Sequence, residues 1–349
     1  MRRYGNLYNK IYDLENIKLA HKKAKKGKSH YNEVRRIEEN PDKYFRQIRN
    51  MLRYKTFRNS KYTIFKKMDK GKEREIFKLP YFPDRIIHHC IMNILEPIWM
   101  KIFIKDTYSS LKGRGIHKGI KRIKRALKDK EGTKYCLKLD IKKFYPSINH
   151  NILKYIIRKK IKDADLLWLL DEIIDSADGI PIGNYLSQYF GNLYLSYFDH
   201  WMKEYHKCKY YFRYCDDIII LDSNKKNLRE LFKSLRYYLL SKILLIIKGS
   251  WQYFPIVNRG IDFLGYRFFY KYTLLRKCTS IRFKKKMKNI CYYNINILSM
   301  IMSYFGWLKF ANCYNLWKKS VTISVCLSIS RYCYFQQINN PLEGNYNER

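Results

Sequence analysis

Two adjacent carboxylates, Asp216 and Asp217, stand in Tyr214-Cys215-Asp216-Asp217 between an aromatic run and Ile218-Ile219-Ile220-Leu221. The pattern predicts a hairpin whose second strand is buried, with the acids displayed at its turn. Crowding like charges there is unfavourable unless a cation compensates them. A third acid, Asp140, ends a second buried-strand pattern, Tyr135-Cys136-Leu137-Lys138-Leu139-Asp140. Brought together, the three acids imply a two-metal carboxylate site. Mg2+ prefers such hard oxygen ligands, and a pair of ions can activate an attacking hydroxyl and stabilise a departing pyrophosphate. Asp140 and Asp216 are the expected principal ligands, with Asp217 supporting or sharing coordination and Ile141 offering its backbone carbonyl. A lone Asp is more often a turn or cap residue. Three acids in this apolar setting point to chemistry.

The elements that must position them alternate. Residues 11–58 mix Lys and Arg with intermittent apolar positions, which predicts helices, and Asn40-Pro41 marks a helix start. Tyr62–Leu79 reads as a hairpin around Asp69-Lys70-Gly71. Ile86–Phe103 is helical in composition, with Pro97 expected to kink it or start a new helix. A basic turn, Gly113-Arg114-Gly115, precedes the amphipathic run Ile116–Leu127. Helices are expected near 149–160 and 163–175, one long helix over Leu186–Tyr205, and another around Leu228–Leu240. Gly260–Phe269 reads as a tight hairpin, Arg276–Lys288 as a basic segment, and 289–330 as a small helical bundle. Helices alternating with short buried strands make an α+β fold.

Lys and Arg number 71 against 30 Asp and Glu among 349 residues, a formal net charge of +41. That charge repels itself and calls for a polyanionic partner, nucleic acid first. No apolar stretch has the length of a membrane span, and the N-terminus lacks the apolar run of a signal peptide. Nine cysteines without paired CxxC spacing favour free thiols over a disulfide or zinc scaffold. His88, His89 and His117 are expected to serve packing, and Asp84-Arg85 to form an internal ion pair.

Leu137–Ile148 resembles the first catalytic motif of reverse transcriptases, Tyr214–Asp217 the second, and Gly179–Gln188 the substrate-binding motif between them. Ile182-Gly183, three variable residues and Ser187-Gln188 narrow the resemblance to diversity-generating retroelement enzymes, within the group II intron-like bacterial reverse transcriptases. The resemblance covers most of residues 10–330. It implies a right-hand polymerase: a basic helical extension over 1–60, fingers and palm over 61–275, a small helical thumb over 276–338 and a flexible tail over 339–349.

Under this resemblance Tyr145 is a steric gate beneath the incoming sugar, and Gly183, Ser187 and Gln188 align template and nucleotide. Arg74 reaches the triphosphate, since arginine offers a rigid fork of donors; Lys72, Lys112 and Arg114 are further contacts. Lys248 resembles the basic residue near the nucleotide tail that, as a general acid, protonates the leaving pyrophosphate. Gly260, Phe263, Gly265 and Tyr266 resemble a primer grip. Arg276, Lys277, Arg282, Lys284, Lys285 and Lys286 track duplex phosphates. The implied partners are two Mg2+ ions, dNTPs, structured template RNA, primer and cDNA, and a small basic pentameric accessory protein. The implied setting is the cytoplasm, bacterial or phage-encoded, with no membrane. The implied role is mutagenic cDNA synthesis for target-gene diversification. A phage-defence or abortive-infection reverse transcriptase and a non-catalytic RNA-binding scaffold are the competing readings.

Overall fold

The computed structural model describes residues 3–69, 71–288 and 297–320. Four helices come first: α1 (Tyr8–Ile11), α2 (Leu14–Ala24), α3 (Asn32–Glu39) and α4 (Pro41–Arg53). Local capping explains where they begin. The Asp13 carboxylate accepts the Glu15 N–H at 3.0 Å, and Asn40 caps α4 with Pro41 at its first position. Their apolar faces are buried through Ile17, Ala20, Val34, Ile37, Phe45 and Ile48, so this basic segment is packed structure.

β1 (Thr63–Asp69) and β2 (Lys72–Lys78) pair antiparallel from Thr63↔Lys78 to Asp69↔Lys72, as the sequence predicts. α5 (Ile86–Trp99) runs through Pro97 without restarting. Proline inside a helix costs about 3 kcal/mol, but Pro97 stands in the last turn and the helix buries Ile86 to Met92, Leu95, Ile98 and Trp99. That burial outweighs one lost ladder bond. α6 (Ile116–Ala126), β3 (Tyr135–Asp140), α7 (His150–Arg158) and α8 (Ala164–Ile174) follow. The single helix expected over Leu186–Tyr205 divides into α9 (Ser187–Tyr194), α10 (Ser196–His200) and a further helical turn, Trp201–Tyr205. The break falls at Leu195, beside the Ser196 hydroxyl, which donates to the Leu193 carbonyl at 2.6 Å.

β4 (Tyr210–Tyr214) and β5 (Asp217–Asp222) form the acid hairpin, followed by α11 (Lys225–Ile243) and β6 (Gln252–Pro255). The sheet order is β4-β5-β3-β6. β5 pairs antiparallel on both sides, with Asp140↔Asp217 to β3 and Tyr214↔Asp217 to β4. Ile218, Ile219, Ile220 and Leu221 are buried, each gaining about 1.5–3 kcal/mol before entropy. A slip of one residue would carry Asp217 to the other face, so packing fixes the register of the acids.

Two units emerge along the chain: residues 1–119 with 135–253, and residues 120–134 with 254 onward. In the second, α12 (Ile256–Arg259) leads into an antiparallel meander of β7 (Ile261–Phe263), β8 (Tyr266–Phe268) and β9 (Thr273–Leu275). Leu264 and Gly265, with φ of 53° and 86°, make the two-residue β7–β8 turn, the left-handed pair that a tight hairpin prefers. α13 (Lys277–Lys288) buries Phe283 and Met287 one turn apart, and α14 (Ile297–Leu308) supplies Trp307, whose ring stacks on Tyr266. The expected thumb, 276–338, lies partly outside the described residues, and the tail, 339–349, wholly so. No helix among the described residues is long and apolar enough to cross a membrane.

A Cβ on Gly265 would stand 2.8 Å from the Trp307 ring, at a φ that side chains rarely adopt. Gly265→Ala is therefore expected to destabilise by about 1–3 kcal/mol, read as a lower denaturant midpoint by tryptophan fluorescence. An unchanged midpoint would show that the turn relaxes freely.

Candidate active site

The register places Asp140 directly opposite Asp217, and Asp216 occupies the β4–β5 turn. Cys215, with φ of 57°, takes the left-handed conformation that reverses the chain there. The Asp216 carbonyl accepts the Ile141 N–H at 3.3 Å, which ties the turn to the residue after Asp140. The Ile141 side chain is fully buried and anchors that end of β3. Burial, and then the neighbouring Asp140 charge, raises the Asp216 carboxyl above its ordinary range. The fold thus pairs Asp140 with Asp217 across the sheet and brings Asp140 within electrostatic reach of Asp216. Burial and Asp216 push the Cys215 thiol up to about 12, so it stays protonated and inert.

Behind the turn lies a network that sequence reading missed. Arg213 and Asp199 are both fully buried and meet through two bonds: Nε to Oδ1 at 2.7 Å and Nη2 to Oδ2 at 2.5 Å. Burial pulls the Arg213 pKa down, but Asp199 more than offsets it and the net shift is upward. The Tyr211 hydroxyl donates to Asp199 at 2.6 Å, and the Thr107 hydroxyl at 3.2 Å. Arg213 Nη1 also donates to Asn192 Oδ1 at 3.2 Å and to the Cys215 carbonyl at 3.0 Å. One buried ion pair therefore holds the backbone of the acid turn. The available signal was a charged residue inside an otherwise apolar strand.

Lys248 reaches the same place. Its N–H donates to the Asp140 carbonyl at 2.8 Å and its ammonium pairs with Asp140 Oδ1. It stands as a counter-cation on the acids. Tyr145 lies beside them, its hydroxyl 3.4 Å from Cys215 Sγ, with burial and then Cys215 raising its pKa. Phe144 is buried. Gly191 explains how the two rings fit: a Cβ there would meet Phe144 and Tyr145 at 3.1 Å. Helix α9 therefore presents bare backbone to the aromatic wall.

The loop before α9 is tied to the β1–β2 hairpin. Phe77 N–H donates to the Ile182 carbonyl at 2.8 Å, and a Cβ on Gly183, at φ 130°, would stand 2.4 Å from the Phe77 carbonyl. Only glycine permits that approach. The Ser187 hydroxyl donates to the Pro181 carbonyl at 2.6 Å, so it stabilises the loop from inside, while Gln188 is exposed. Arg74 is exposed on β2, opposite Lys67; Lys72 begins that strand opposite Asp69. Lys112 is exposed, whereas Arg114 donates to the carbonyls of Phe103, Ile104 and Met100 at 3.0, 2.8 and 3.3 Å. Arg114 closes the chain after α5, a role its glycine neighbours concealed. The expected Asp84–Arg85 pair does not form: Asp84 accepts the Ser60 N–H at 3.0 Å.

In the second unit, Phe263 and Tyr266 are fully buried, and the Tyr266 hydroxyl donates to the Trp307 carbonyl at 2.8 Å. A Cβ on Gly260 would stand 2.7 Å from the Phe269 ring. These residues build the interior of the hairpin. Arg276 pairs with Asp262 at 2.6 Å. Lys277, Arg282, Lys284, Lys285 and Lys286 are exposed along α13.

Among the described residues, no three His, Cys, Asp or Glu side chains converge into a ready-made metal cage. The donors still fit Mg2+, which binds through one or two carboxylates and completes its shell with water and substrate phosphate. Asp216, disfavoured as an anion by Asp140, and Lys248, already compensating Asp140, mark where cationic charge is needed.

The model of the reverse transcriptase (RNA-dependent DNA polymerase) family matches residues 64–268, more than half of the chain and inclusive of all three acids. Protein YkfC of Escherichia coli is 24% identical over 234 residues, 54% of this chain and 61% of YkfC. The group II intron-encoded protein LtrA of Lactococcus lactis is 28% identical over 132 residues, 35% of this chain and 22% of LtrA. Nuclear intron maturase 1, mitochondrial, of Arabidopsis thaliana is 26% identical over 113 residues, 32% and 16% of the two chains. The chain thus spans less than two thirds of each of these relatives. Apo telomerase from Candida tropicalis superposes with a TM-score of 0.49 at 13% identity, covering 82% of this chain and 60% of that one.

Removing one partner of the buried pair should be far worse than removing both. Asp199→Asn strands the Arg213 charge and is expected to cost about 3–5 kcal/mol in denaturant unfolding, whereas Asp199→Leu with Arg213→Met together removes both charges and should cost less, the remainder being the Tyr211 and Thr107 hydroxyls left without an acceptor. The folded double variant should nonetheless lose nucleotidyl transfer, because the Cys215 carbonyl has lost its donor. Full activity in it would exclude a positioning role.

Proposed function

As this chain belongs to the reverse transcriptase family, we propose that it extends a primer with deoxynucleotides along an RNA template. The convergence of Asp140 and Asp216 on adjoining strand ends, with Lys248 beside them, carries this reading. A bound pair of Mg2+ ions would lower the pKa of the primer hydroxyl and offset charge on the leaving pyrophosphate. Asp140 and Asp216 would hold those ions, with the Ile141 carbonyl and Asp217 as supporting donors. Lys248, which pairs with Asp140 here, would give a proton to the leaving pyrophosphate. Tyr145, pressed on Gly191, offers a rigid wall where a ribose 2′-hydroxyl would sit.

Arg74 and Lys72 on the hairpin, with Lys112, are our candidates for the triphosphate. The Gly183 loop, with Gln188 exposed at its end, is our candidate for aligning the templating base. The Gly260–Tyr266 hairpin would guide the primer, and the exposed cations of α13 would follow duplex phosphates as a thumb. The finer role we propose is mutagenic copying of a retroelement RNA for diversification of a target gene, in company with structured RNA and a small basic accessory protein. Support for it comes from the Ile182–Gln188 motif and from a net charge of +41.

Purified full-length chain should incorporate dNTPs on a primed RNA template with Mg2+. Asp216→Asn should reduce this to background while RNA affinity is unchanged; equal activity in that variant would refute the acid assignment. Sequenced products should carry misincorporations concentrated opposite template adenine, and an even error spectrum would reject the diversification role. Tyr145→Ala should raise ribonucleotide incorporation about tenfold or more, measured by alkaline cleavage of the product.

A further inference from the structure

His150, the first residue of α7, has a half-buried ring that faces two oxygens. Its Nε2 donates to the Gly179 carbonyl at 2.8 Å, and its Nδ1 lies 3.2 Å from Asp175 Oδ1. A carbonyl only accepts, so Nε2 carries a proton in the first pair. The Asp175 carboxylate accepts as well, so the ring satisfies both oxygens only with a proton on each nitrogen. Asp175 is held in turn, its other oxygen taken by the Lys154 ammonium.

The helix beneath the ring is anchored. Asn149 caps α7 by accepting the Ile152 N–H at 3.1 Å, and its own N–H donates to the Tyr194 hydroxyl at 3.2 Å. That hydroxyl donates to the Ile243 carbonyl at 2.7 Å, which joins the start of α7 to α9 and α11. On the other side of the ring, Gly179 opens the loop that carries Gly183 and stands against the aromatic wall. At its φ of 60°, a Cβ would lie 2.5 Å from the Pro146 carbonyl oxygen, so backbone meets backbone there. The next residue, Ile180, is buried and donates its N–H to the Tyr145 carbonyl at 2.9 Å. Gly179 and Ile180 therefore clasp Tyr145 and Pro146, and His150 ties that clasp to α7.

We propose that His150 is a positioning residue for sugar selection. By donating to the Gly179 carbonyl it fixes the backbone that carries Tyr145, and so the ring that meets the incoming sugar. A wall rejects one extra hydroxyl only while it is held to within about 0.5 Å. The inference rests on the polymerase reading above. His150 acts through the Tyr145 backbone and touches no reacting atom.

Three substitutions test it in the full-length chain. His150→Gln keeps a donor at the reach of Nε2, His150→Asn offers one only at the reach of Nδ1, and His150→Ala offers none. On a primed RNA template with Mg2+, kcat/KM is measured for a dNTP and for the matching ribonucleotide. The ratio of the two should fall about tenfold in His150→Ala and His150→Asn, the order of one hydrogen bond's net worth, and stay within about twofold of wild type in His150→Gln. Primer–template affinity, read by fluorescence anisotropy, should be the same throughout. An unchanged ratio in His150→Ala and His150→Asn, or an equal loss in His150→Gln, overturns the proposal. Amide hydrogen exchange gives a readout that needs no catalysis. The Ile180 amide should exchange faster in His150→Ala and His150→Asn and at the wild-type rate in His150→Gln; equal exchange in every variant overturns the clasp. If His150→Ala does not fold, His150→Asn against His150→Gln carries both comparisons. A wild-type chain that adds no nucleotide sinks the polymerase reading alone, and exchange at Ile180 still judges the clasp.

Discussion

Holding Asp140 against Asp216 is the constraint around which the first unit is arranged. Burial, and then the charge of Asp140, makes the Asp216 carboxyl resist ionisation. Hydrogen bonds within the turn, from the Asp216 backbone and Cys215, offset part of this. The rest comes from elsewhere: β5 is locked by its four apolar residues, Arg213 grips the Cys215 carbonyl from behind, and Lys248 faces Asp140 in front. Each device acts on backbone or charge at a different side of the same turn. The acids are thereby held by the chain's own packing and charge, which is the kind of preorganisation that electrostatic stabilisation uses.

The parts of this arrangement that follow from short-range patterning were legible in the chain. β3 spans Tyr135–Asp140 as its alternation suggests, and the acid hairpin turns at Cys215-Asp216 because an apolar run follows. Asn40-Pro41 starts a helix because capping chemistry is local. The parts that depend on distant partners were not legible. Arg114 sits between glycines and looks available for phosphate, yet three carbonyls after α5 take its donors. Asp84 and Arg85 are neighbours in sequence but face different surroundings. Pro97 is a helix breaker by its own chemistry, and only the burial of α5 overrides that tendency. Asp199 carried no signal at all until the helix bearing it was seen against β4.

The second unit achieves its order by other means. It relies on a left-handed two-residue turn, aromatic stacking of Tyr266 on Trp307, and an i, i+4 pair on α13. Its cations are left on the surface, where attraction to a polyanion is long-ranged, tolerant of sequence and weakened by salt. The two units thus rest on different physics. One is buried, directional and rigid; the other is exposed and diffuse.

The seam between Gly183 and Phe77 has a mechanical meaning. Because the Phe77 amide holds the Ile182 carbonyl, Gly183 lies against the Phe77 carbonyl and Asn184 holds the Tyr62 hydroxyl, the β1–β2 arm and the segment feeding α9 are geared together. Under the proposed function, a swing of that arm toward a triphosphate would pass to α9, whose bare Gly191 lies against the ring of Tyr145. Closure and sugar selection would then be one stroke of a single lever, and an ill-fitting sugar would be felt as an arm that fails to seat.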